Sequence, residues 1–129
     1  INMKAIRLTT ILLLLIVAAN ALVAGYLFIV DPSGAKLNIP LSMLSHSPFT
    51  NFLVPGIILF TVNGVFNLIA AVTIILRLKI YPTLVVWQGI ILIGWITIQI
   101  ILLQNFNFLH SIMLIIGLTL FVLGNRLNV

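Results

Sequence analysis

The side chains able to do chemistry in this chain are few, and their spacing restricts what that chemistry can be. His46 and His110 are the two histidines, Asp31 is the only acidic residue, and cysteine is absent. Two histidines contributed by separate elements could ligate haem iron or a metal, or hydrogen-bond a quinone oxygen. Neither has a nearby carboxylate to orient its ring, as metal-ligating histidines require. A lone aspartate cannot supply paired acid-base work. Ser47 follows His46, but neighbours in sequence do not thereby form a nucleophile and base. Thiolate catalysis, disulfides and iron-sulfur sites are excluded. The sequence therefore reads as that of a non-enzymatic protein.

A second constellation consists of amides: Asn20, Asn63, Asn67, Gln88 and Gln99. Amides in an apolar setting are costly unless hydrogen-bonded, so they are expected to point inward and join helices. Asn63, Asn67 and Ala70 share one helical face, as do Gln88, Trp95 and Gln99.

The surroundings of these residues are overwhelmingly apolar. Hydrophobic residues make up 63% of the 129-residue chain and charged residues 5%, against about a quarter charged in a soluble domain. Six basic residues and one acid cannot clothe a water-facing surface of that size, so the solvent must be lipid. The net charge of +5 does not point to nucleic acid. The basic residues sit at the ends of apolar runs, where they set topology and meet anionic headgroups.

The predicted fold class is an all-α membrane protein, a single four-helix transmembrane domain over residues 1–129 with a structured outer loop between helices 1 and 2. Spans are expected at about 8–30, 49–76, 82–103 and 108–123, with the loop at 31–48. The first run exceeds the roughly 7–15 apolar residues of a signal-peptide core, which favours a retained span. Its Ala18, Ala21 and Gly25 form a small-residue face for close helix approach.

Asp31-Pro32-Ser33-Gly34 is a type I turn signature. A short interfacial helix is expected within 39–46, with Pro40 at its first position. Ser47-Pro48 reads as N-cap and first residue of the second span, and Pro55-Gly56 predicts a kink near Phe52 that opens space beneath the loop. Tyr81-Pro82 begins the third span, residues 104–107 form a short loop, and the last helix ends at Gly124-Asn125. His110, Met113, Gly117 and Gly124 share a face. Tyr26, Phe28, Phe49, Tyr81 and Phe106 fit aromatic belts.

Lys4, Arg7, Arg77, Lys79 and Arg126 fall on one side of this arrangement and Lys36 on the other. That asymmetry predicts cytoplasmic N and C termini.

The Asp31-Pro32-Ser33-Gly34, Ser47-Pro48-Phe49 and Pro55-Gly56 elements resemble a pattern in small bacterial four-span membrane proteins, similar in overall shape to the DoxX-like group. The resemblance covers roughly the first half of the chain. It implies a bacterial inner-membrane location and supplies no catalytic residue.

Two functions follow as expectations. The first is an accessory or structural subunit whose helices pack in the bilayer against other membrane subunits or against a second copy, needing no cofactor. The second is a carrier holding a lipid, quinone or haem beneath the outer loop, at His46, His110, Pro55 and Gly56.

Overall fold

The computed structural model describes residues 2–103 and 108–127. Among these, four long helices account for the spans: α1 (Met3–Val30), α2 (Leu53–Ile75), α3 (Tyr81–Leu103) and α4 (Phe108–Leu127). Each is long and apolar enough to cross a membrane, and no strand occurs among the described residues. The chain is a multi-pass, all-α membrane bundle. The loop expected at residues 104–107, with Phe106 in its belt, lies outside the described residues.

The four helices run up and down around a square. α1 packs chiefly on α2, α3 on α4, with further contacts between α2 and α3 and between α1 and α4. α1 and α3 form the diagonal pair. Basic residues Lys4, Arg7, Arg77, Lys79 and Arg126 gather at the end bearing the termini, while Lys36 lies at the opposite, loop end.

α1 begins at Met3, earlier than the expected residue 8. Asn2 caps it, its Oδ1 accepting the Ala5 N–H at 2.8 Å. Such a cap satisfies a donor that the first helical turn leaves unpaired. The helix buries Ile6, Thr10, Leu14, Val17, Ala18, Ala21 and Gly25, one face at helical spacing. Thr10 satisfies its hydroxyl on the Ile6 carbonyl at 2.7 Å.

Two apolar clusters fill the interior. Near the termini, Leu14, Ala70, Ala71, Ile74, Val85 and Leu120 pack together, with half-buried Tyr81 against them. Toward the loop end, Val17, Leu92, Ile96 and Met113 form the second.

Glycines bring the backbones close where the driving force is van der Waals packing rather than water exclusion. A Cβ on Gly89 would lie 2.6 Å from the Phe121 nitrogen, and one on Gly124 2.7 Å from the Val86 nitrogen. Gly124 is therefore a packing residue, and α4 continues past the expected stop at Gly124-Asn125 to Leu127.

The second span departs most from expectation. Ser47 and Pro48 are loop residues: Ser47 Oγ donates to the Leu44 carbonyl and accepts the Phe49 N–H. α2 starts instead at Leu53, whose N–H is accepted by Asn51 Oδ1 at 2.9 Å. Pro55 consequently sits in the first turn, where its missing N–H has no helical partner to lose, and the expected proline kink has no cause. The distortion in α2 comes later, as a π-helical stretch over Leu59–Val65.

α2 ends in a Schellman motif. Leu78 N–H donates to the Thr73 carbonyl and Arg77 N–H to that of Ile74, both at 3.0 Å. Arg77 takes the left-handed position at φ 53°, where glycine is usual.

Candidate functional site

The α1–α2 loop is folded by its own hydrogen bonds. Gly34 N–H donates to the Asp31 carbonyl at 3.2 Å, the turn predicted from Asp-Pro-Ser-Gly. Asp31 Oδ1 accepts the Ser33 hydroxyl at 2.7 Å and the Ser33 N–H at 3.3 Å. These bonds, led by the hydroxyl and helped by the Lys36 charge, hold the Asp31 carboxyl below its ordinary range.

Ile39 N–H returns to the Gly34 carbonyl at 2.9 Å, and Gly34 has φ +80° with Phe52 against it. Two short 3₁₀ turns, Ala35–Leu37 and Leu41–Leu44, replace the expected interfacial helix, with Pro40 capping the second rather than opening a helix. Phe52 N–H donates to the Pro32 carbonyl at 2.9 Å, and its ring stacks on Phe28 at 4.7 Å. Phe28 thus pins the loop to the bundle.

Pro55 and Gly56 do not open a space beneath this loop. Gly56 is buried against α1: a Cβ there would meet Phe28 Cβ at 2.7 Å, and one on Gly25 would meet the Gly56 carbonyl at 2.9 Å. The pair closes the α1–α2 crossing. Two shallow depressions lie on the outward face of α4, at Phe121, Val122, Asn125 and Arg126 and at Leu118, Thr119, Val122 and Leu123.

The histidines belong to the same end of the bundle by topology but to different environments. His46 is exposed in the loop, whereas His110 is buried in the first turn of α4. Among the described residues, no group of three histidine, cysteine or acidic side chains could hold a metal ion.

Burial sorts the five amides into three sets. Asn63 and Asn67 are 1% and 0% exposed and Gln88 5%, as expected of inward amides. Gln99 is half-buried. Asn20 contradicts the expectation, being exposed on the outer face of α1. The reason is geometric: the inward face of α1 is taken by Val17, Ala18 and Ala21, and residue 20 falls about 100° round the helix from the centre of that face, on its exposed flank.

Asn67 Nδ2 donates to the Asn63 main-chain carbonyl at 2.7 Å. Both polar side-chain atoms of Asn63, together with Asn67 Oδ1 and Gln88 Oε1, are buried without a hydrogen bond. Gln88 lies between Val85 of one apolar cluster and Leu92 of the other. Asn67 and Gln88 each stand roughly two turns from the α2–α3 connection, so antiparallel packing sets them at similar depth. Asn63 lies within the π-helical stretch, where Phe66 N–H reaches back to the Thr61 carbonyl. Single π-turns concentrate at functional positions in helical proteins. Hydrophobic periodicity gives no sign of the π-turn, and the Asn63-Gly64 pair is the only local irregularity in sequence.

No family model, curated protein or solved structure matches this chain. Its class is accordingly set by its own architecture: a four-helix membrane bundle with a folded loop at one end and an amide-bearing interior.

Proposed function

We propose that this protein is a small non-enzymatic membrane subunit that works by packing against partner helices. The observation carrying this reading is Asn20, an exposed amide near the middle of α1 that makes no side-chain hydrogen bond among the described residues. In hydrocarbon such an amide costs several kcal/mol until a partner satisfies it, and interhelical amide bonding is a recognised glue between spans. Two other mid-span polar side chains that face outward, Thr97 and Thr119, already donate to the Ile93 and Ile115 carbonyls, each at 2.7 Å.

The basic residues at the terminal end favour a cytoplasmic location for both termini, and the turn and cap residues resemble small bacterial inner-membrane proteins. Purification from the native membrane tests the reading. A stoichiometric protein partner or a second copy is expected, weakened in Asn20→Leu. A bare monomer that Asn20→Leu does not alter would refute it. Labelling a single cysteine at Ala35 from outside intact cells checks orientation; labelling only after lysis reverses it.

A carrier of lipid, quinone or haem is the second reading. The orphaned amides of Asn63, Asn67 and Gln88 favour it more than Pro55 and Gly56 do. Solvent extraction followed by mass spectrometry would reveal a lipid or quinone, and a Soret band lost in His110→Ala would reveal haem. A colourless, ligand-free protein removes this reading.

A further inference from the structure

We infer that the partner on the outer face of α1 is a second copy of this chain, in a parallel two-fold dimer whose centre is the Asn20–Asn20 contact. The inference rests on the partner-packing reading and specifies the partner.

The outward face of α1 carries a seam of heptad spacing. Leu13, Ile16, Asn20, Val23 and Leu27 recur at intervals of three and four residues, the pattern that lets two helices supercoil. Ile16 and Val23 are 55% and 61% exposed, and Leu13 and Leu27 are half-buried at the margins. Ile16 and Val23 at its centre are free of intramolecular cover because the inward face of α1, with Leu14, Val17, Ala18 and Ala21, lies about 120° round the helix from the axis of the seam, while Leu13 at one end of the seam packs against the cluster near the termini. Val23 lies beside Asn20 on the outward side, and no basic or acidic side chain interrupts residues 8–30.

Depth and chemistry select the second copy over other occupants. Asn20 lies about 18 Å along the helix from Leu8 and about 15 Å from Val30, near the bilayer midplane. Every copy of one chain inserts with the same orientation, so the two-fold axis relating two copies runs along the membrane normal. Residues on that axis meet their own counterparts at identical depth. A carboxamide is self-complementary under this symmetry, since each Nδ2 donates to the other copy's Oδ1 and both groups are satisfied. Asparagine in the seam of a paired helix fixes register and copy number in the same manner.

A lipid-facing leucine would be less costly than this asparagine if the face met only hydrocarbon. The membrane supplies no hydrophobic force between apolar stripes, so the amide pair supplies the directional part of the association.

Absence of cysteine makes the native sequence a clean background for cross-linking. The full chain carrying Val23→Cys is reconstituted at high lipid-to-protein ratio in phosphatidylcholine–phosphatidylglycerol vesicles and oxidised. Ile98→Cys, exposed on the diagonally opposite α3, reports random collision.

Val23→Cys is expected to form a disulfide dimer well above the Ile98→Cys level. Adding Asn20→Leu should reduce the dimer about ten-fold, and Asn20→Gln should retain most of it. Because residue 20 is exposed, neither substitution disturbs the interior, and unchanged helical circular dichroism verifies the fold. Equal cross-linking of the two cysteine reporters, or cross-linking indifferent to Asn20→Leu, overturns the dimer. If the native-membrane preparation instead holds a different chain that Asn20→Leu releases, the dimer fails while the packing function stands. If Asn20→Leu changes neither assembly, both fail.

Discussion

Gly25 on α1 and Gly56 on α2 face each other at the α1–α2 crossing, close enough that a Cβ on Gly25 would lie 2.9 Å from the Gly56 carbonyl oxygen. The same Cβ would stand 2.8 Å from the Phe60 nitrogen, so the obstruction is main chain and cannot rotate away. Gly25→Ala is expected to destabilise the bundle by about 1–3 kcal/mol, the usual cost of overpacking. Gly94 has no atom within 4 Å of its Cβ position; Gly94→Ala should stabilise by about 0.5–1 kcal/mol through helix propensity. Unfolding in SDS–detergent mixtures measures both, and equal shifts of one sign would contradict the contact.

Asn63 differs from Asn67 in having both polar side-chain atoms unpaired, while Asn67 retains the bond to the Asn63 carbonyl. Replacing an orphaned buried amide by an apolar side chain of similar size removes a desolvation penalty of about 1–3 kcal/mol. Asn63→Leu is therefore expected to raise resistance to SDS, and Asn67→Leu to change it less. A fall in stability for Asn63→Leu would mean that the amide is satisfied in the membrane by a bound molecule, which would favour the carrier reading.

Arg77 occupies a left-handed backbone position that costs a non-glycine residue about 1–2 kcal/mol. Arg77→Gly should stabilise the end of α2 by roughly 1 kcal/mol, whereas Arg77→Val should weaken it. Hydrogen exchange at the Leu78 amide, donor of the closing bond to Thr73, follows the change: slower in the first variant, faster in the second.

The Asp31 turn carries a pH dependence of defined sign. Its carboxyl lies below the ordinary value of 3.8, chiefly because the Ser33 hydroxyl donates to the ionised form. The contribution is thus fully present above pH 3.8 and is lost as pH falls through the lower folded value. Exchange of the Gly34 and Ile39 amides should accelerate below that pH beyond the intrinsic trend. Asp31→Asn keeps an acceptor oxygen and should remove this step; persistence of the step in Asp31→Asn would assign it elsewhere.

The spans could be read from length and apolarity because the lipid core demands both. Asp31 to Gly34 was equally legible, since proline and glycine each occupy a position whose dihedral angle suits them. Three features were concealed for physical reasons. Ser47-Pro48 and Asn51 offer competing starts for one helix, and local chemistry does not rank them. Gly124 as a stop and Gly124 as a packing surface are the same letter, decided only by the approach of Val86.

Asn20 was misplaced because α1 is apolar on all sides. Without a polar face, periodicity cannot tell inward from outward, and the expectation rested on the general cost of an exposed amide. That cost is what makes its actual position informative about assembly.

The π-turn in α2 also means that this membrane crossing contains one residue more than a regular α-helix needs between its two working faces. Toward the loop, Gly56 fixes the angular phase of α2 against α1; toward the termini, Asn67, Ala70 and Ala71 fix it against the interior. Shortening the segment Leu59–Val65 by one residue should therefore leave both faces in phase and return the helix to regular geometry. The same deletion at Leu68 would turn one half by about 100° relative to the other. The surplus residue is a built-in tolerance in span length, located beside Asn63, whose two polar side-chain atoms are both buried and unpaired.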